Sequence, residues 1–487
     1  MRKMTQGSIV RHLIAYALPL ILGNLFQLTY NAVDSIVIGK FAGENALAAV
    51  SAANPVMTIM ILGVSGVSIG ASVLMSRFYG AGDEDALRRE VATTIVFGAI
   101  ASLVVFAVGW PLSGPVLRLM NVPDEILEMA TRYLQVIFVG FLFTFQYNIL
   151  AAALRSVGDS KTPVIFLALA SVMNAGLDVL LVAVFRWGVV GAGIATVMAE
   201  GISALLCAWH IYRRIPLLHL AWRELKIDRR LLRETVSSGA ITAMQQACQP
   251  IGKALIQSVM NAQGVSVIAA FNAVSRVDDF ACIPEQSISS GMMTCIAQNR
   301  GAGEHARVGE TLRRGMAMEA AYGVLICAAV LHDTIEDCAG VTKETLEDRF
   351  GERVAMLVDC ESEDKSKSWE ERKSTTIRRL RTAPREVQMI GLADKLSNMR
   401  DIHRDYPVFG ENLWMRFRMQ SKAAMGWYYK SIRDVLKSSF QGTAAYEEYC
   451  ALVEEHFGKE PASMDWKKEM LRESGKDGKD KSDLLCK

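Results

Sequence analysis

The density of charged residues changes abruptly near Val330, and this change limits what the chain can fold into. Asp, Glu, Lys and Arg account for 46 of residues 1–330 and for 58 of residues 331–487. A single globular domain does not carry such an asymmetry, so the sequence predicts at least two modules. The nine cysteines form no CxxC pair, which argues against a disulfide framework. The net charge of +2 argues neither for nor against binding to nucleic acid, and we predict no nucleic-acid partner.

The first module is predicted to be a bundle of membrane-spanning helices, so a lipid bilayer is its first partner. Its apolar runs are long enough to cross a bilayer, and the chain as a whole is predicted to be all-α. Lys253, Asp278 and Asp279 interrupt the last two runs, and charges within spans usually face a bundle interior. The predicted spans are residues 13–38, 46–75, 92–110, 132–153, 163–185, 188–211, 236–262 and 266–297.

Basic residues are distributed unequally between the two sides of these spans. The N-terminus and the loops after even-numbered spans carry 19 of them, from Arg2 to Arg314, whereas the opposite side carries Lys40, Arg118, Arg132 and Arg186. Positive residues favour the cytoplasmic side of a membrane. We therefore predict a multi-pass protein of the inner membrane with a cytoplasmic N-terminus.

The first module also contains an internal repeat at an offset of 221 residues. FAGENALAAV (41–50) aligns with AQGVSVIAAF (262–271), Gly70 with Gly291, and GAGD (80–83) with GAGE (301–304). Two copies of a six-span unit is the organisation of many secondary transporters. We predict a whole first copy in residues 1–220 and a second copy, in residues 221–320, that stops after about two spans.

Polar residues inside two of the spans are candidates for an ion site. Asp34 lies about two-thirds of the way along the first span, where a carboxylate is costly unless it faces a cavity and binds a cation or proton. Asn174 and Asp178 are four residues apart on one face of the fifth span and would add oxygen ligands. The alternative is that both aspartates only cap or hydrogen-bond neighbouring helices.

On these features the first module resembles the multidrug and toxic compound extrusion (MATE) family. The resemblance implies two six-helix lobes that export organic cations or drugs in exchange for Na⁺ or H⁺, with cation coupling at Asp34, Asn174 and Asp178. The missing spans predict impaired transport unless a second chain completes the bundle. The segments that carry the resemblance are LPLILGNLFQLTYNAVDSIVIGKF (18–41), SRFYGAGD (76–83), ALRSVGDSKTP (153–163), SVMNAGLD (171–178) and AQNRGAGE (297–304).

The second module opens with a candidate metal site in the segment HDTIED. Helical spacing would stack His332 over Glu336 and Asp333 over Asp337, and Asp394 lies further on in GLADKLSNMRDI (391–402). Imidazole together with carboxylates suits a divalent ion such as Mn²⁺. The alternative is a solvated helix face with a buried core histidine.

HDxxED followed by ADKLSN resembles the HD-type (p)ppGpp hydrolases of the RelA/SpoT type, over residues 325–455. The resemblance implies an all-helical domain with Mn²⁺ on His332, Asp333 and Asp394. It implies that Glu336 and Asp337 orient or deprotonate the attacking water and that Asn398 lies near a guanosine tetraphosphate-type nucleotide. The family's first helices and their histidine ligand have no counterpart here, and His305 is a poor substitute.

Residues 315–331 fit both modules. We predict that they open the partial HD domain, residues 321–458, and keep it cytoplasmic, rather than forming a ninth span. No Gly/Ser/Pro linker joins the modules, which suggests a recombined or frame-joined chain. The charged tail, residues 459–487, is predicted to be disordered. Three hypotheses remain open: a MATE-type antiporter, a Mn²⁺-dependent (p)ppGpp hydrolase, and an inactive chimeric reading frame.

Overall fold

A computed structural model of the chain describes residues 3–261 and 265–460. The chain divides into two units, Met1–Glu319 and Ala320–Lys487. The described residues form helices and no strand, so the predicted all-α fold is confirmed. The tail that the sequence predicts to be disordered lies, beyond residue 460, outside the described residues.

Long helices make up the first unit. All six predicted spans between residues 13 and 211 coincide with long helices, the fifth continuing from α5 into a π-helical segment, Val179–Val184. Its helices are α1 Ile9–Phe41, α2 Glu44–Ala81, α3 Glu84–Leu119, α4 Asp124–Ser156, α5 Lys161–Asp178, α6 Gly188–Arg214, α7 Arg229–Asn261 and α8 Val265–Gly301. Helix α9, His305–Leu331, begins in the first unit and ends in the second.

Seven stretches of the described chain are long and apolar enough to cross a membrane. Six of them correspond to the first six predicted spans, and the seventh is His305–Asp337. Helices α7 and α8 form where spans were predicted, but they do not reach the same hydropathy. Residues 315–331 thus lie in a helix whose composition suits a span, and both assignments of this segment stand.

The charges that interrupt α7 and α8 satisfy one another. The Lys253 ammonium lies 2.8 Å from a carboxylate oxygen of Asp278 and 2.7 Å from one of Asp279. One cation and two carboxylates therefore bridge the two helices, as expected when charged residues occur in membrane segments.

The repeated glycine motifs lie where α2 and α8 approach most closely. A Cβ atom on Gly80 would lie 1.9 Å from the carbonyl oxygen of Gln298, and one on Gly301 would lie 1.9 Å from that of Arg77. Gly80 and Gly301 are equivalent positions of the 221-residue repeat. The two copies thus contribute the same small residue to a reciprocal contact that leaves no room for a side chain.

The rest of each motif ends one helix and begins the next. Gly82 ends α2 with a φ of 74°, in the left-handed region, and the Asp83 carboxylate accepts a hydrogen bond from the Ala86 amide at the start of α3. Gly303 has a φ of 77° in the second motif. The GAGD and GAGE segments are therefore tight interhelical turns.

Shorter helices around one aromatic core make up the second unit. Thr342 caps α11 by accepting a hydrogen bond from the Thr345 amide, and Trp427, Tyr428 and Tyr429 are buried in the core. After α9 the helices are α10 Thr334–Asp337, α11 Lys343–Phe350, α12 Glu352–Glu361, α13 Trp369–Thr382, α14 Arg385–Phe409, α15 Lys422–Phe440 and α16 Ala444–Phe457.

Candidate cation and metal sites

Two carboxyl groups from α1 and α5 meet in the interior of the first unit. Asp178 is fully buried at the end of α5, where the helix passes into the π-helical segment Val179–Val184. Its side chain shares a hydrogen bond with that of Asp34 on α1. One carboxylate oxygen of each residue is buried without a hydrogen-bond partner. A local π-helical turn is frequent at functional sites, because it redirects side chains that a regular helix would present elsewhere.

Asn174 connects this pair to α6. With its amide oriented by the hydrogen-bond network, the Asn174 nitrogen donates to an Asp178 oxygen at 3.1 Å, and its oxygen accepts from the Thr196 amide at 3.2 Å. The structure thus brings Asp34, Asn174 and Asp178 into one cluster. Thr196 was not identified from the sequence, because it contributes a backbone amide, which no residue pattern reveals.

The cluster has negative charge without a matching positive side chain. Among the described residues, neither Asp34 nor Asp178 forms an ion pair with Lys, Arg or His. Two carboxylates at hydrogen-bond distance repel one another unless a proton or a cation lies between them. Carboxylate and amide oxygens are also the ligands that hard cations prefer. The arrangement can therefore hold either a proton or a small cation.

The HDTIED segment of the second unit is not one helix, so the expectation that its side chains stack along a helix is wrong. Helix α9 ends at Leu331 and α10 begins at Thr334, which places His332 and Asp333 in the intervening turn. The amides of Glu336 and Asp337 both bond the Asp333 carbonyl oxygen. The turn follows because Asp333 occupies the N-cap position of a new helix.

The His332 ring is oriented for coordination through one nitrogen. Its Nδ1 lies 2.9 Å from the Ala329 carbonyl oxygen, which only accepts, so Nδ1 carries a proton and donates. The Nε2 atom lies 3.1 Å from an Asp333 oxygen and 3.9 Å from an Asp394 oxygen. A backbone contact of this kind commonly fixes the tautomer of a metal-binding histidine.

Asp394 already has partners from its own helix, α14. Lys395 forms an ion pair with it, and the Asn398 amide donates to it at 2.9 Å. Burial alone would raise the pKa of Asp394, but the nearby His332 ring and the charge of Lys395 outweigh burial and hold the pKa well below its usual range. Asn398 was predicted to lie near a nucleotide. Here its side-chain amide donates a hydrogen bond to the Asp394 carboxylate, one helical turn earlier.

Glu336 and Asp337, the predicted water-activating residues, contact the segment that follows α12. The Glu336 carboxylate accepts from the Glu363 amide at 2.5 Å, and Lys365 donates to the Asp337 carboxylate at 2.6 Å and to the Glu336 carbonyl at 2.7 Å. Both acidic side chains are engaged by this segment, and neither forms an ion pair with His332 among the described residues.

Glu361, at the end of α12, is an acidic neighbour of this site that sequence reasoning missed. Burial raises its pKa to about 7, an effect that the charge of Lys395 opposes and that of Asp394 supports. Its Oε1 atom has no hydrogen-bond partner, and a Cβ on Gly391 would lie 3.2 Å from that atom. Glu361 belongs to no recognisable motif and is one acidic residue of an amphipathic helix. Its position next to the site therefore could not be predicted from the sequence.

The donors of the HDTIED site fit a divalent ion on one side. His332 Nε2 lies 3.1 Å from the Asp333 oxygen. Adjacent ligands of an octahedral ion with metal–ligand bonds of about 2.1 Å lie about 3 Å apart, so these two atoms could bind the same ion. The Asp394 oxygen is farther away and would turn toward such an ion, away from Lys395. These three residues would hold the ion, and water would supply its remaining ligands.

Family comparisons match both units. The MatE family matches residues 19–180 and 242–346, and the HD domain family matches residues 302–408. Residues 302–346 are therefore claimed by both families, and they contain α9 and the HDTIED segment.

Curated relatives cover mainly the first unit. The chain is 30% identical over 310 residues to Probable multidrug resistance protein YpnP of Bacillus subtilis, which covers 62% of this chain and 68% of that protein. It is 27% identical over 315 residues to a FAD transporter of Shewanella oneidensis, which covers 63% of this chain and 69% of that protein. The chain thus spans about two-thirds of the length of these relatives.

Solved structures share the fold at low identity. A MOP superfamily transporter from Pyrococcus furiosus aligns with a TM-score of 0.62 and 17% identity, over 93% of this chain and 96% of the other. A multidrug resistance MATE family transporter in an outward-facing conformation aligns with a TM-score of 0.61 and 18% identity, over the same shares.

Proposed function

Because the chain belongs to the MatE family of membrane transport proteins and carries an HD domain, we propose that its first unit exports organic cations or drugs by antiport. Asp34 and Asp178 bind the coupling ion, Na⁺ or H⁺, in this proposal. The observation that carries it is that the Asp34 and Asp178 carboxyl groups interact with one another, and that neither pairs with a basic side chain among the described residues.

The location of the pair supports coupling. Burying a carboxylate in an apolar helix bundle is energetically unfavourable. A buried carboxyl pair without a basic side chain beside it is therefore stabilised when it binds a cation or a proton from solution. Asn174 then has a direct role, because it holds the Asp178 carboxylate between α5 and α6. Loss or gain of the ion would change the contacts that join α1, α5 and α6.

The substrate class rests on relatives alone. Names among them refer to multidrug resistance and, in one case, to FAD transport. The MatE match ends at residue 346, and about a third of the length of these relatives lies outside the region that aligns with this chain. Alternating access requires two lobes around a shared site, so we expect slow transport unless a second chain contributes the missing wall. A cytoplasmic N-terminus in the inner membrane is part of the same proposal.

Transport of ethidium into proteoliposomes under an imposed Na⁺ or pH gradient tests the proposal. We expect slow, gradient-dependent transport that Asp34→Asn and Asp178→Asn both abolish. Glu90→Gln is the matched control, since Glu90 is also a fully buried acid in a long apolar helix but bonds Thr235 instead. Transport by Asp34→Asn at the wild-type rate would contradict the proposal.

A second candidate function concerns the HD domain. The contact of His332 Nδ1 with the Ala329 carbonyl directs Nε2 toward Asp333 and Asp394, which supports a metal-dependent hydrolase acting on a (p)ppGpp-type nucleotide. A bound Mn²⁺ supplies an activated water in such enzymes. His332, Asp333 and Asp394 would hold the ion. Glu336 and Asp337 bind the 363–365 segment and keep it next to the site.

Release of pyrophosphate from ppGpp by purified protein with Mn²⁺ tests this second function. We expect turnover that Asp333→Ala removes and that Asp364→Asn leaves intact, because Asp364 is exposed and bonds only Ser366 and Lys367. No turnover by the wild type with added Mn²⁺ would reject it.

The joint between the two modules bears on both functions. Both families claim residues 302–346, and α9 runs through the joint as one helix. A continuous DNA read across these codons separates a genuine fusion from a joined reading frame. A break in the read would assign the two activities to separate proteins.

A further inference from the structure

A second cluster of metal-ligand side chains lies between α14 and α16, apart from the HDTIED site. It consists of His403 on α14 and of Glu455 and His456 on α16, each offering one ligand atom within 4.8 Å of the others. We propose that these three residues form a Zn²⁺ site that joins the two helices.

The spacing of the donors matches tetrahedral coordination. His403 Nδ1 lies 3.2 Å from His456 Nε2 and 3.4 Å from a Glu455 oxygen. With metal–ligand bonds of about 2.0–2.1 Å, adjacent ligands of a tetrahedral ion lie about 3.3–3.4 Å apart. An ion can thus occupy the space between the donors with little movement of the side chains.

The chemistry of the donors selects the ion. Two imidazoles and one carboxylate are a ligand set that Zn²⁺ uses in open sites, where water takes the fourth position. His456 is buried at 8% exposure, whereas the His403 and Glu455 side chains are about half exposed, so one side of the cluster faces solvent. In the metal-free cluster one proton lies between the two ring nitrogens. When Zn²⁺ takes its place, this proton moves to the other nitrogen of its own ring, and both imidazoles bind the ion as neutral ligands.

Neighbouring groups hold the buried imidazole in place. The His456 ring packs edge-on against Tyr406, with ring centroids 5.3 Å apart. Lys422, whose ammonium lies 5.6 Å from the Tyr406 ring centroid, is paired with Glu411 at 3.0 Å. The closest lysine charge is therefore neutralised by its own partner and does not exclude a divalent ion.

This cluster is distinct from the HDTIED site. His403 follows Asp394 by nine residues on α14, which is two and a half turns, about 13 Å, further along the axis and on the opposite face of the helix. A single ion cannot bridge the two sets of ligands. The expected consequence of Zn²⁺ binding is a firmer contact between α14 and α16.

Titration of the full-length, chelator-treated protein with Co²⁺ tests the proposal, because four-coordinate Co²⁺ absorbs visibly and Zn²⁺ displaces it. We expect a saturable spectrum in the wild type, and His403→Asn and Glu455→Gln should each weaken Co²⁺ binding about 100-fold, since even outer partners of a metal site contribute about 10–100-fold. Both residues are exposed, so folding should persist, which a thermal melt confirms.

Two control variants identify the site. His219→Asn removes a histidine of the first unit and should not change the Co²⁺ spectrum. Asp333→Asn removes a donor of the HDTIED site and shows how much Co²⁺ that site binds, and the spectrum that depends on His403 and Glu455 should remain in this variant. The proposal is overturned if the wild type gives no spectrum, if His403→Asn binds Co²⁺ like the wild type, or if only Asp333→Asn loses binding.

Discussion

Asp178 in the first unit and Asp394 in the second are both carboxylates with little exposure, but their charges are balanced differently. Asp178 meets a second carboxyl group, Asp34, and a neutral amide, Asn174. Asp394 meets the ammonium of Lys395, the Asn398 amide and the His332 ring. Within the described part of the chain, the first site thus has no cationic side chain as a partner, and the second has one.

The interactions that stabilise the two units also differ in how much they rely on charge. The first unit is held by close contacts between apolar helices, as at Gly80 and Gly301, whereas the second contains dense ion-pair networks such as Glu363 with Arg372 and Lys373. A unit whose stability depends on few ion pairs can keep a pair of acidic side chains available to bind an external ion. A unit that neutralises its acids internally must give up a partner before it binds metal.

Gly80→Ala should have the largest effect, because the added methyl group would meet the Gln298 backbone, which cannot move like a side chain. We expect a loss of about 3 kcal/mol or more in the first unit, at the upper end of overpacking costs. Gly63→Ala, on the same helix with no atom within 4 Å of its Cβ position, is the control and should be neutral or stabilising. Similar melting of both variants would show that close packing is not what holds this unit.

Lys395→Met tests the internal cation of the second unit. Its side chain is only 13% exposed, so its removal leaves the buried Asp394 charge with the Asn398 amide and the His332 ring as its remaining partners. The expected loss is about 3 kcal/mol in chelator-treated protein, the lower end for a broken buried ion pair, measured by denaturant unfolding. Lys365→Met removes an exposed pair with Asp337 and should cost less than about 1 kcal/mol.

Added Mn²⁺ extends this test. If Mn²⁺ restores the stability of Lys395→Met but not that of Lys395→Met with Asp333→Asn, Asp394 accepts a metal in place of the ammonium. No recovery with Mn²⁺ would show that the second site relies on lysine alone.

Glu361→Gln should have a smaller effect that depends on pH. Burial raises the pKa of Glu361 to about 7 from 4.5, so the folded chain binds this proton more tightly than the unfolded chain. The stability that this proton contributes is complete below about pH 4.5 and is lost as the pH rises through about 7. We expect Glu361→Gln to remove a decline of about 2 kcal/mol over this range, in unfolding measured without metal. A parallel pH profile of both proteins would contradict the raised pKa.

Patterns local in sequence predicted the architecture well. Apolar length predicted six long helices, and spacing placed Asn174 beside Asp178. The resemblance to the MATE and HD families likewise relied on contiguous motifs, and the family matches confirm it.

What the sequence missed depends on contacts between distant segments. The helix breaks after Leu331, and His332 and Asp333 form a turn, although helical periodicity continues through this segment. Glu361 packs against Gly391, 30 residues further along the chain, and Glu336 accepts a hydrogen bond from an amide 27 residues away. No spacing rule links such residues, so their roles emerge from packing alone.

Binding of radioactive Na⁺ to the purified protein, with protons as competitor, tests most directly whether the first unit takes its missing cation from outside. The account predicts saturable binding, weakened at low pH, that Asp34→Asn and Asp178→Asn abolish and Glu90→Gln retains. If the coupling ion is H⁺, the same two variants should instead abolish proton uptake measured with a pH indicator. Wild-type binding of both ions in Asp34→Asn and Asp178→Asn would contradict the account.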